Sequence, residues 1–330
     1  MAFLFESFES WQKYSIEKNI SLHQVAMEYE KEQRGRTEKE IWDGLANAWS
    51  VMKDAVHTGL EEDMTSRSGM INNGAKKVYR YPKAVLSKEF QNLISRALAA
   101  KEVNSCMGRI VAAPTAGASG IMPGVLYTLQ EIHHIEDKKI LEAMLLAAGI
   151  ALIMEQKASI SGAVGGCQAE TGTAAAMGAG AIVYCLDGDT DQIFNAVAIT
   201  VQCMLGLVCD PVAGLVEVPC VVRNASAAAI ANSSAQIALA NVSSVIPVDE
   251  VIEAMGEIGA SMETRYKETA LGGLAATKTG QAIAKRVSEF DLTRTCGKRS
   301  QLLHGQNCGS TDSGCFRHNA RCAVHPTGNS

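Results

Sequence analysis

The chain has 330 residues and a net charge of −5, with 47% hydrophobic, 20% charged and 5% aromatic residues. That is enough chain to bury a substantial core, and the composition is that of a globular rather than a disordered or disulfide-stapled protein. Mild acidity, with few aromatic rings to stack on bases, argues against nucleic acid as a partner, and no basic cluster offers a grip on a membrane surface.

The N-terminal run MAFLFESFESWQKYSIEKN has no basic residue ahead of its apolar ones and no small-residue cleavage site, so a cytoplasmic protein is expected. Helices dominate from there. Ser21 with Gln24, and Thr37 with Glu40, have the spacing of capping boxes; the second opens a helix with Ile41, Leu45, Trp49, Met52 and Val56 on one face. Lys77 to Arg80 and Ile110 to Ala112 are the pieces that look extended. Ser87 precedes a helical run from Lys88 to Lys101, and Asp137 is placed to cap the run from Lys138 to Lys157. The apolar stretches Ile140 to Met154 and Ile193 to Val208 are too short to span a bilayer and read as buried helices.

From Thr171 to Thr279 the chain is rich in Ala, Gly and Ser, with larger apolar residues at helical intervals, so close-packed helices are expected. The predicted fold is mainly α: a compact helical catalytic domain over residues 1–287 with glycine-rich loops and few or no strands. After Val287 the alanine-rich periodicity gives way to Arg, Cys, His, Ser and Gly, so 288–330 is expected to be an atypical, disordered tail. It holds Cys296, Cys308, Cys315, Cys322, His304, His318 and His325. The run from Cys315 to His325 has the order of a zinc site but little apolar sequence around it to form a core.

Ten cysteines in a reducing compartment are expected to be free thiols, so any special ones should be catalytic or metal-bound. Three sit beside Gly or Pro at expected helix boundaries: Cys167 in GGCQAETG, and Cys209 and Cys220 in CDPVAGLVEVPC. Cys185 and Cys203, by contrast, fall inside apolar helical faces. The spacing of the three matches no common zinc or ferredoxin run, and packing roles stay open on spacing alone. A [4Fe-4S] cluster held by three thiolates would leave one iron able to act as a Lewis acid. Two glycine-bounded loops, Ser66-Arg67-Ser68-Gly69-Met70 leading to Asn72-Asn73-Gly74, and Pro114-Thr115-Ala116-Gly117, offer hydroxyls and N–H groups of the kind that meet small anions. Read alone, they are also ordinary turns. No phosphate-loop or dinucleotide fingerprint is present, and Lys76 and Lys77 read as solvated charges, so no pyridoxal phosphate is expected.

Four blocks, SGAVGGCQAETG (161–172), CDPVAGLVEVPC (209–220) followed by RNASAAAIAN, PTAGASGIMPGVL (114–126) and ETALGGLAATKTGQAIAK (268–285), resemble the iron-sulfur-dependent L-serine dehydratases, specifically their α chain or catalytic domain. The resemblance spans residues 1–287. It implies conversion of L-serine to pyruvate and ammonia on an open-iron [4Fe-4S] cluster, with Cys167, Cys209 and Cys220 as its ligands. It also implies that Ser66, Ser68, Gly69, Asn73 and Thr115 bind substrate, the serines, Gly69 and Thr115 near its carboxylate. It leaves the general base unassigned; His57, His133 and His134 are candidates by type only. The extra N-terminal domain of the family's single-chain members has no counterpart here, which implies a separate β chain as partner. Rival readings are a related [4Fe-4S] lyase acting on L-cysteine or a hydroxy acid, and a non-enzymatic cluster protein for electron transfer or sensing, for which Cys106, Cys185 or Cys203 would close the cluster.

Overall fold

A computed structural model describes residues 5–289, and residues up to Val287 group as one unit. In chain order the helices are α1 (Phe8–Lys18), α2 (Leu22–Arg34), α3 (Glu38–Glu61), α4 (Gly74–Arg80), α5 (Lys88–Ser105), α6 (Ile121–His133) and α7 (Asp137–Ala158). There follow the single turn α8 (Gly162–Gly165), α9 (Thr173–Cys185), α10 (Thr190–Gln202), α11 (Cys220–Leu239) and α12 (Val248–Ser261), and a last helix begins at residue 278. No strand occurs among the described residues, only isolated bridges such as Thr65 to Asn72 and Cys209 to Lys267. The mainly α expectation holds.

The fold is organised around α9, whose Ala, Gly and Val residues are buried on all sides. A helix apolar all round belongs in the interior, and α9 is packed on by α6, α7, α10 and α11. Small side chains set how closely these helices meet. A Cβ on Gly124 of α6 would lie 2.8 Å from the backbone N of Ala97, so α5 and α6 touch through backbone there. At the N-terminus Trp11 is fully buried, stacked on Phe5 (ring centroids 4.9 Å apart), and donates its indole N–H to Leu22 O (3.1 Å).

The expected starts of α2, α3 and α5 are observed. Thr37 Oγ1 accepts from Glu40 N, Glu40 Oε2 accepts from Thr37 N, and Ser87 Oγ accepts from Phe90 N (3.2 Å). Three readings are corrected. Asp137 does not cap α7; it is the first helical residue, and its carboxylate accepts from Trp49 Nε1 (3.2 Å) and Gln130 Nε2 (2.9 Å). Lys77 to Arg80 is helix rather than extended chain, because buried Glu102 reaches from α5 to accept the Ala75 N–H (3.2 Å) at the start of α4. Ile110 to Ala112 forms neither helix nor strand. No helix among the described residues is long and apolar enough to cross a membrane. The run from Cys315 to His325, with its zinc-like order, lies outside the described residues.

Candidate active site

Five sequence-distant segments meet at one end of the bundle, each joined by a specific polar link. Cys167 precedes a π-helical turn, Gln168–Gly172, that leads into α9. Gln168 fixes this turn: its amide donates to Met255 O on α12 (2.8 Å), its Oε1 accepts from Gly206 N (2.8 Å), and its own N–H donates to Leu207 O (2.9 Å). The chain then reaches Cys209, whose N–H donates to Tyr266 O (2.8 Å) while its carbonyl accepts from Glu268 N (2.9 Å). Cys220 is the first residue of α11.

Arg223, one turn further along α11, ties the cysteine segments together. It donates to Val208 O (2.8 Å) and pairs with Asp210 Oδ1 (2.9 Å), on either side of Cys209, and its charge also acts on the Cys167 thiol. The next residue, Asn224, is fully buried. Its amide donates to Gly117 O (2.8 Å) and Cys220 O (2.9 Å), and its Oδ1 accepts from Gly120 N (2.9 Å), which seats the 114–120 loop against the start of α11. Asp210 in turn accepts from Leu274 N (2.7 Å) and holds the 268–276 loop over the same place.

The structure brings Cys167, Cys209 and Cys220 together. All three are buried free thiols. Burial is the main reason each thiol is raised above the usual range, Cys220 to about 12; the field of neighbouring Cys167 adds to this at Cys209 and Cys220. At Cys167 a 2.8 Å contact to Thr171 Oγ1 and the Arg223 charge pull the other way. Around Gly162 the chain is crowded: a Cβ there would sit 3.2 Å from Cys209 Sγ, 3.4 Å from Glu268 Oε2 and 3.5 Å from Glu170 Oε2. Two carboxylates therefore flank the thiols, and desolvation, then the Glu170 charge, raises Glu268. Among the described residues no group of three His, Cys, Asp or Glu is close enough to hold a single metal ion. Thiolate donors suit soft iron-sulfur chemistry, in which each thiolate meets a different iron, and the three-cysteine set fits that group.

The other expected residues divide. Ser66 and Ser68 both donate to one oxygen of buried Glu217, Oε2, at 2.6 and 2.5 Å, and Thr115 Oγ1 donates to Glu170 Oε1 (2.5 Å). Gly69 forms the turn of the first loop at φ +77°. Asn73 is committed to holding that loop, since its Oδ1 accepts from Met64 N (2.6 Å). The three histidines stand apart: exposed His57 pairs with the Tyr127 hydroxyl (2.9 Å), and exposed His133 and His134 end α6. Cys185 is buried beside Lys139 and Asp187, as an apolar-face cysteine should be. Cys203 is not: it follows Gln202, the last residue of α10, still with helical backbone angles, and takes the side of the helix that faces solvent.

Sequence reasoning passed over Glu170, Glu217, Glu268, Asp210, Arg223, Asn224 and Lys101. Lys101 is fully buried; its ammonium donates to Asn104 Oδ1 (2.6 Å), Val216 O (2.8 Å) and Ser105 Oγ (3.4 Å). Desolvation lowers it to about 8 against the opposing fields of Cys220, Glu170 and Glu217. The signal available was a charged residue inside an otherwise apolar or small-residue block.

The family profile described as Serine dehydratase alpha chain matches residues 17–275. The chain is 42% identical over 287 residues to the probable L-serine dehydratase alpha chain of Bacillus subtilis, covering 86% of this chain and 95% of that one. It is 42% identical over 272 residues to the L-serine dehydratase alpha chain of Peptoniphilus asaccharolyticus, covering 82% and 93%. Against the L-serine dehydratase of Streptomyces coelicolor the identity is 40% over 269 residues, covering 79% of this chain and 58% of that longer protein.

Proposed function

Because this chain belongs to the serine dehydratase alpha-chain family, we propose that it is the catalytic chain of an L-serine dehydratase, a lyase that converts L-serine to pyruvate and ammonia. The reaction removes the α-proton and the β-hydroxyl of serine; the resulting aminoacrylate hydrolyses to the two products. Hydroxide is a poor leaving group, so the C–O bond needs polarising while the amino acid is held still. In our reading Cys167, Cys209 and Cys220 hold a [4Fe-4S] cluster. When bound, the cluster supplies Lewis-acid polarisation of that bond.

This chain's own residues do the rest of what can be assigned. Arg223 and Gln168 hold the cysteine segments in register, and Asn224 and Asp210 close the 114–120 and 268–276 loops around the substrate, limiting access of water. A β chain completes the enzyme, in keeping with relatives named as alpha chains and with a longer relative of which this chain covers 58%. A cytoplasmic setting, which keeps thiols reduced, goes with this reading.

The observation that carries the cluster assignment is the meeting of three buried thiols from separate segments around Arg223. Replacing any one of Cys167, Cys209 or Cys220 by Ala is expected to abolish iron binding after anaerobic reconstitution and to abolish pyruvate formation with the β chain. Wild-type iron content and turnover in one of these variants would remove that residue from the ligand set. Cys203→Ala, at an exposed position, is expected to behave as the parent.

A further inference from the structure

Lys101, near the end of α5, is fully buried, and its ammonium donates to Asn104 Oδ1 (2.6 Å), Val216 O (2.8 Å) and Ser105 Oγ (3.4 Å). All three partners are neutral. Burying a charge is costly unless an opposite charge stands close by, so an ammonium in this setting points to an anion that completes it.

The packing of α5 on α11 shows where that anion lies. Gly120 is wedged between the two helices: a Cβ on it would collide with Ala97 O and lie 3.0 Å from Asn224 Oδ1. One helical turn further along α5 is Lys101, and one turn back along α11 is Cys220, whose carbonyl accepts from Asn224 (2.9 Å). The bond from Lys101 to Val216 O, in the stretch that leads into Cys220, puts both residues at the same end of this helix contact. Ser105 Oγ donates to the same carbonyl (3.2 Å) and Val212 N donates to Val218 O (2.8 Å), so the stretch entering α11 is held from two sides. Desolvation works against the charged ammonium, and of the fields that favour it that of Cys220 is the largest.

Cys167, Cys209 and Cys220, as thiolate ligands, bring negative charge into a buried end of the bundle where the carboxylates of Glu170 and Glu268 already stand. A second cation there, Arg223, is matched by Asp210 (2.9 Å). Lys101 is matched by none of its bonded partners. We infer that Lys101 is the buried counter-charge of the Cys220 thiolate, a positioning residue that sets the charge balance of the cluster site through that ligand. The inference rests on the cluster reading above and adds to it a residue outside the ligand set. The charge around a cluster helps to fix its reduction potential, and a buried cation at this place favours the state that carries one more electron.

The test is an anaerobic redox titration, followed by electron paramagnetic resonance, of the cluster-loaded complex with its β chain. Parent, Lys101→Gln, Lys101→Met and Ser105→Ala are compared, with iron content measured on each. Lys101→Gln keeps a donor N–H for Val216 O and removes the charge; Lys101→Met removes both, and carries the same test should the Gln variant fail to fold. Ser105→Ala takes away a bond to the same carbonyl and leaves the charge in place. Both Lys101 variants should shift the midpoint potential to more negative values, by about tenfold in the oxidised-to-reduced ratio or about 59 mV for one electron, while Ser105→Ala keeps the parent's potential. Failure of Lys101→Gln to hold iron, with helix content unchanged and Ser105→Ala fully loaded, is the stronger form of the same result. A Lys101→Gln complex with the parent's iron content and potential would overturn the inference, as would an equal shift in Ser105→Ala, which would make the hydrogen bonds and not the charge responsible. A parent that holds no iron would instead overturn the cluster reading, and the inference with it.

Discussion

Arg223 and Asn224 sit side by side on α11 and join segments that are far apart in sequence. Asn224 uses both amide protons and its carbonyl oxygen, all in a site closed to water. Asn224→Ala strands the Gly120 N–H and weakens the partners of Gly117 O, and each such buried group left unsatisfied costs about 1–3 kcal/mol. The expected result is a clear fall in thermal midpoint together with poorer iron retention; an unchanged midpoint would show that water or a shifted backbone replaces these bonds. The three cysteines stood out in the sequence because each lies near Gly or Pro and outside an apolar helical face, while a ligand role for them came from the family resemblance and not from their spacing. Glu217 and Glu170 did not stand out, because their partners Ser66, Ser68 and Thr115 are 151, 149 and 55 residues away, and only the fold brings a hydroxyl to a carboxylate. Cys203 misled for a related reason: it borders an apolar run, but only the fold decides which side of the end of α10 is covered, and Cys203 takes the open side.

Local signals identified the helices whose ends are made by their own residues. The boxes at Ser21 and Thr37 and the cap at Ser87 are self-contained, so they read directly from sequence. The start of α4 is made by Glu102 from α5, and the entry of α7 is held by Trp49 and Gln130. No local pattern contains those. The contact of α2 with α7 and α9 carries a pH dependence. His23, against Ser21 Oγ (2.9 Å) and Tyr184 OH (3.0 Å), is lowered below 6.5, chiefly by burial. Its neutral form is the one the fold favours, so between the lowered value and 6.5 the unfolded chain binds more protons. That contribution to stability is present above 6.5 and is lost as pH falls toward the lowered value. Thermal midpoints followed from pH 8 to pH 5.5 should fall less steeply for His23→Gln than for the parent; superimposable profiles would show that His23 is not responsible.

For the molecule as a whole, α9 supplies the rigid centre and the reactive groups gather at its N-terminal end, where the Cys167 turn enters it. The loops carrying Cys209, Cys220, Thr115 and Glu268 converge there through side chains on the helices rather than through a sheet. Such a site is assembled only when the bundle is, so the proposed cluster would bind only to the folded chain. The mainly α class was legible because small residues at helical intervals exclude most other architectures; the meeting point was not, because it depends on which helix ends lie together. The claim that most needs testing is that the three thiols hold a cluster with one iron open to substrate. The direct measurement is the Mössbauer spectrum of the anaerobically reconstituted chain with its β chain, before and after addition of L-serine, with D-alanine as the control for carboxylate and ammonium binding alone. The account predicts a change confined to one iron with L-serine and none with D-alanine; four irons that stay alike with L-serine would contradict it.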